Sequence, residues 1–142
     1  MPLTVLISGA GIAGSTLAFL LAKTGARITV VEKAKSLLPH GQNVDIQGSA
    51  LLAVAKMGLM DQVLAANTSE KGSQFVDAKG NPVALFPMRE DSAVSLTSQF
   101  EILRGDLAKI LYEAAEVHPN VNYLFDTTIV SLYCVSPKYE VF

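Results

Sequence analysis

Cysteine, tryptophan and histidine are almost missing from these 142 residues: one cysteine, no tryptophan and two histidines. A single thiol, Cys134, excludes an internal disulfide framework and a cysteine-based metal site. It stands in the apolar stretch TTIVSLYCV, where a buried, inert thiol is expected. His40 and His118 lie far apart, at no metal-ligand spacing, and both read as loop residues. Charge is sparse as well. Charged residues make up 17% of the chain, the net charge is −2, and no basic cluster occurs, which argues against nucleic-acid binding. No basic residue precedes Lys23, whereas a signal peptide wants a basic n-region ahead of its apolar run. The sequon Asn67-Thr68-Ser69 then reads as chance. A cytoplasmic protein is the expectation. What the chain has in excess is apolar side chains, 50% of the total with a mean hydropathy of +0.36. That suggests buried strands or a protein interface.

Residues 3–22 form an uncharged, largely apolar run long enough to span a bilayer. It breaks, however, into two textures. LTVLIS is short, β-branched and closed by glycine, as a buried strand is. IAGSTLAFLLAKTG carries Leu17, Leu20 and Leu21 at helical spacing and stops at Gly25, a C-terminal capping residue. A soluble strand–turn–helix fits this better than a membrane span. Between the two pieces lies Gly9-Ala10-Gly11-Ile12-Ala13-Gly14, and a second strand, RITVVEK, ends in Glu32. Strand, G-x-G-x-x-G, helix, strand and acidic residue together form the dinucleotide-binding fingerprint. Gly9 allows the tight turn, Gly11 lets a pyrophosphate approach the backbone, and Gly14 permits close helix packing. The helix start, with its free amides and positive dipole end, faces the pyrophosphate. Glu32 can accept hydrogen bonds from ribose hydroxyls. The alternative is a ligand-free strand-to-helix turn with a surface glutamate.

Pro39 to Gly48 reads as a polar loop. Ser49 starts a helix with Leu51, Leu52, Val54 and Ala55, ended by Gly58, and a short helix follows from Asp61 to Ala66. SQFVDAKGNPVALFP is a β-hairpin turning at Ala78-Lys79-Gly80-Asn81. QFEIL is a short strand, and a helix runs from about Gly105 to Val117 with an apolar stripe of Leu107, Ile110, Leu111, Ala114 and Ala115. VNYLF is a third strand, expected to lie beyond ITVVE, which pairs with LTVLIS. TTIVSLYCV and KYEVF read as two antiparallel strands around Ser136-Pro137. The fold class is therefore α/β: a Rossmann-like parallel sheet with a β-hairpin insertion and a C-terminal antiparallel meander that stops early. Residues 1–142 form a single, incomplete dinucleotide-binding domain.

GAGIAG, the glutamate of VVEK, GQNVDIQGSALLAVAKMGL and FEILRGDLAKIL together resemble the N-terminal FAD-binding part of the class A flavoprotein monooxygenases. This is the group of p-hydroxybenzoate hydroxylase and the tetracycline-inactivating monooxygenase. The likeness runs from about Leu3 to Leu132. It implies the FAD-binding half known as the GR2 type, with FAD as cofactor, NADPH as transient reductant and oxygen transferred to a small organic substrate. It implies that Gly9, Gly11, Ala13 and Gly14 hold the FAD diphosphate, that Glu32 holds the adenosine ribose, and that Lys33 lies beside the adenine. Asp45 falls in the loop that approaches the flavin in such proteins, or is an ordinary loop aspartate. Arg104 matches an arginine that reaches toward FAD, where a fixed guanidinium suits a dianionic diphosphate. It could instead pair with Glu101 or Asp106 on the surface. Asp106 is most simply a first-turn carboxylate favoured by the helix dipole.

Such proteins continue through a substrate-binding sheet and return with a Gly-Asp motif on the flavin side, neither of which occurs in these 142 residues. No acid, base or nucleophile constellation stands out, so no catalytic residue is assigned. The primary expectation is a truncated FAD-dependent monooxygenase-like protein that binds the ADP half of FAD. The alternative is a non-redox relative acting as a cofactor-free isomerase or cyclase, or as a binding module. In the resembling family the first strand is flanked on both sides, and the second neighbour comes from the C-terminal part. A homodimer, or a partner protein covering that edge, is therefore expected.

Overall fold

The structure is a computed structural model describing residues 3–39, 41–87 and 100–133. The expectations for His40, Cys134, Ser136-Pro137 and KYEVF fall outside these residues.

Strand β1 (Thr4–Ser8) leads through Gly9–Gly11 into helix α1 (Ile12–Ala22), which returns the chain to strand β2 (Arg27–Val31). β1 and β2 are parallel, with Val5 opposite Ile28 and Ile7 opposite Val30. The last strand of this set, here β7 (Val121–Leu124), pairs in parallel on the far side of β2, so the sheet order is β1-β2-β7. That is the order the sequence suggested. β2 lies in the middle, and Ile28, Val30 and Val31 are buried accordingly.

Between β2 and β7 the chain forms β3 (Asn43–Asp45), α2 (Ser49–Met57), α3 (Met60–Ala65), the hairpin β4 (Gly72–Val76) and β5 (Pro82–Pro87), β6 (Glu101–Leu103) and α4 (Arg104–Glu116). α4 packs on α1 and closes the core. Ala18, Phe19 and Ala22 of α1 meet Leu107, Leu111 and Ala115 of α4 in one buried cluster with Ile28 and Val30. Three alanines in that list let the two helix axes come close. Asn120 ties the far ends together. Its amide donates to the carbonyls of Ala22 (2.9 Å) and Ala26 (2.8 Å), joining the turn after α1 to the turn before β7.

Two expectations need correction, and the structure adds the buried faces of two helices. The loop from Pro39 to Gly48 contains a strand: β3 pairs antiparallel with β6, Val44 opposite Ile102. Three polar-flanked residues carry no period of their own. Their strand character comes from a partner far along the chain. In α1 the core-facing stripe is Ser15, Ala18, Phe19 and Ala22, whereas Leu17 and Leu20 are exposed. The helix is apolar all round, so spacing alone cannot choose the face. In α2 the buried residues are Val54 and Met57, with Leu52 exposed. Finally, residues 127–133 of the expected strand TTIVSLYCV have no regular secondary structure. They gain one ladder-like bond, from the Thr127 amide to the Glu32 carbonyl (3.0 Å), and no strand partner among the described residues. A β-prone composition does not make a strand without a neighbour.

Candidate nucleotide site

Three glycines shape the β1–α1 turn, each for a different reason. Gly9 has φ of +101°, a conformation that strains any residue with a Cβ. A Cβ on Gly14 would sit 1.9 Å from the Gly9 carbonyl oxygen, so only glycine lets the first helical turn fold under the loop. Gly11 has neither constraint. A Cβ there would meet nothing within 4 Å, and its φ is an ordinary −76°. The space in front of Gly11 is open, as a bound group would need.

That space belongs to a cavity of about 250 Å³ lined by Ala10, Gly11, Glu32, Leu37, Arg104 and Ala108, among others. Residues from the glycine turn, the end of β2, the loop after it and the start of α4 thus converge on one spot. The first amides of α1 have no helical acceptor, and the N-terminal cap, Gly11, offers no side chain to satisfy them. The positive end of the helix dipole adds to their pull on an anion. Arg104 opens α4 and lines the same cavity. The expected alternative pairing of Arg104 with Glu101 or Asp106 does not occur. The ion pair formed among the described residues is Lys109–Glu113, and Glu101 instead accepts from the Asn43 amide at 3.0 Å.

Glu32 is gripped from two sides. The Ala10 amide donates to one carboxylate oxygen and the Ala34 amide to the other, both at 2.9 Å. The Ala34 bond first and the Ala10 bond second hold the carboxyl below its ordinary 4.5, burial opposes them, and Lys33 adds a smaller pull in the same direction. Glu32 is therefore ionised at neutral pH and held at the cavity wall. Each oxygen keeps lone-pair capacity for a hydroxyl group.

The remaining candidates fall around this centre. Ala13 lies exposed in the first turn of α1, outside the cavity lining. Lys33 is exposed beside Glu32 without lining the cavity. Asp45 lies in β3, where it is the acceptor for the Gln47 side-chain amide, and the cavity does not include it. Sequence reasoning missed Ser36, Leu37 and Leu38, which wall the cavity from the loop after β2. It also missed how that loop is seated. A Cβ on Gly105 would lie 2.3 Å from the Pro39 carbonyl oxygen, so a glycine in the first turn of α4 lets the loop backbone rest on the helix. Glycine inside a helix is costly, and its presence at position 105 was a readable signal of such an approach.

A family model described as an FAD binding domain matches residues 2–134. Flavin-dependent monooxygenase eupH of Phoma sp is 40% identical over 129 residues, which are 89% of this chain and 30% of that protein. The crystal structure of the tetracycline destructase Tet(55) superposes with a TM-score of 0.74 at 32% identity, covering 92% of this chain and 31% of that one. The FAD complex of CtdE superposes with a TM-score of 0.75 at 18% identity and shares the fold, covering 95% and 33%. The chain belongs to the FAD-binding domain family of the class A flavoprotein monooxygenases. It spans about a third of the length of the relatives it matches. Among the described residues no helix is long and apolar enough to cross a membrane.

Proposed function

We propose that this chain forms the adenosine- and diphosphate-holding part of an FAD site in a flavin-dependent monooxygenase acting on a small organic substrate. The observation that carries the reading is the convergence of Gly11, Glu32 and Arg104 on one cavity at the start of α1. A pocket with free helix amides, a guanidinium and a fixed carboxylate matches a ribose linked to a diphosphate. The open space before Gly11 gives the diphosphate room against the backbone. The amides at the start of α1 hold one side of the diphosphate, Arg104 neutralises it from the other, and Glu32 accepts hydrogen bonds from the ribose. Gly9 and Gly14 shape the turn, and Ala13 stands at its helical end. Lys33, on the solvent side of Glu32, flanks the adenine, and Asp45 lies toward the flavin. Bound FAD supplies the redox chemistry: two electrons taken from NADPH allow reaction with oxygen and delivery of one oxygen atom to the substrate. Further polypeptide, from a second copy or a partner protein, completes the site and covers the edge of β1 that pairs with no strand among the described residues.

Calorimetric titration with ADP and with FAD tests this directly. Binding of both by the chain, lost in Gly11→Val, is the expected result. Binding of neither overturns the proposal.

A further inference from the structure

The Ala10 carbonyl, at a buried residue just before α1 begins, receives no backbone amide among the described residues. The hydroxyl of Ser15, fully buried, donates to it at 3.2 Å. Ser15 in turn accepts from the phenol of Tyr123, in β7, at 3.2 Å. Burial, the larger influence, raises the Tyr123 phenol above its ordinary value of 10.0, so it remains a protonated donor at neutral pH. Its ring is wedged edge-on against Tyr112 (4.6 Å between centroids) and stacked on Phe125 (6.3 Å). A tyrosine fixed in an aromatic cluster thus orients a serine, and the serine holds one carbonyl of the glycine turn.

The consequence follows from peptide geometry. The Ala10–Gly11 peptide is planar and trans, so holding its carbonyl inward turns the Gly11 N–H outward, toward the cavity. The Ala10 amide is already bonded to Glu32. Ala10 is therefore gripped at both its N–H and its C=O, and the next amide has one direction left.

We infer that Ser15 and Tyr123 are positioning residues for the diphosphate, aiming the Gly11 amide through a hydroxyl relay from the third strand. The inference rests on the nucleotide reading above. Nothing in the motif's spacing marks either residue, because Tyr123 enters the turn only through the folding of β7 beside β2.

The test uses the wild type, Ser15→Ala, Tyr123→Phe and the double variant, titrated with ADP and, by competition, with adenosine. Ser15→Ala is expected to weaken ADP about tenfold and Tyr123→Phe about threefold, as the loss of a single hydrogen bond would. Adenosine, which lacks phosphates, should bind all four proteins equally. Within the Ser15→Ala background, Tyr123→Phe should have no further effect, because the relay is already cut. Tyr123→Phe keeps the ring packing, so it decides the matter even if Ser15→Ala fails to fold. Unchanged ADP affinity in the variants overturns the relay alone. Equal losses for ADP and adenosine, or additive effects in the double variant, mark a merely structural role and overturn it too. A wild type that binds neither ADP nor FAD overturns both the relay and the nucleotide reading, and one that binds FAD but no ADP overturns the relay.

Discussion

Glycine means three different things within six residues of this chain, and substitution can separate them. A Cβ on Gly11 would meet nothing within 4 Å and the backbone there is unstrained, so a side chain disturbs the ligand space and little else. Gly11→Val is expected to keep the melting temperature near that of the wild type while weakening ADP at least about tenfold. Gly14 is the reverse. A methyl group would collide with the Gly9 carbonyl, and Gly14→Ala should cost about 3 kcal/mol of folding stability, seen in urea unfolding. Glu32 makes a third residue-level prediction. Its pKa is lowered in the folded state, so the stability it contributes is complete above 4.5, the ordinary value, and is lost as pH falls through the lower folded value. Glu32→Gln offers one acceptor to two amides and removes this titration. Melting temperatures of the variant should be lower than wild type at neutral pH and converge with it in acid. A constant difference across the acid range would contradict the assignment. The glycines and Glu32 were all legible in sequence, because their constraints arise from local backbone geometry.

Elements are placed by contacts that the local sequence does not record. The turn after α1 and the turn before β7 are joined by one side chain, Asn120, donating twice. Asn120→Ala should cost about 1–2 kcal/mol by leaving two carbonyls without a donor. Asn120→Asp should cost more, since it turns acceptor oxygens toward acceptor oxygens, and urea unfolding of the two variants side by side measures the order. β3 shows the same dependence in its pairing. Asn43, Val44 and Asp45 form a strand because Leu103, Ile102 and Glu101 are there to receive them. The boundaries of α2 were readable because Gly58, with φ of +75°, ends it by a local rule. Its buried face was not, because Leu51, Leu52, Val54 and Met57 are all apolar and only the packing selects among them.

At the scale of the molecule, apolar side chains are exposed beside strands that lack a further partner among the described residues. β1 pairs with β2 alone among the described residues, and Leu3 and Leu6 are 63% and 51% exposed. The hairpin β4–β5 pairs with no other strand among them, and exposes Phe75 and Phe86, edge-on at 5.6 Å, together with Val76, Val83 and Leu85. A bare strand edge invites pairing, and a lone hairpin is only marginally stable in water. The purified 142-residue chain is therefore expected to associate. Light scattering at micromolar concentration should show a dimer or larger species, and a stable monomer would refute it. FAD should bind more weakly to the isolated chain than to a full-length relative, because further polypeptide completes the site in the proposal.

The glycine turn, the glutamate after β2, the parallel order β1-β2-β7 and the lengths of α1 and α4 were all determined by the sequence alone. The turn and the helix ends follow from backbone rules acting over a few residues, and the strand order from the dinucleotide-binding fold that the fingerprint marks. The tertiary structure decided which face of α1 is buried, where β3 forms, and how Ser36, Leu37 and Leu38 wall the cavity. It also decided that Arg104 lines the cavity with Glu32 rather than forming an ion pair with Glu101 or Asp106. These depend on residues brought together from distant parts of the chain. Local periodicity holds no record of such partners, because an apolar or polar side chain satisfies the same pattern whatever it meets.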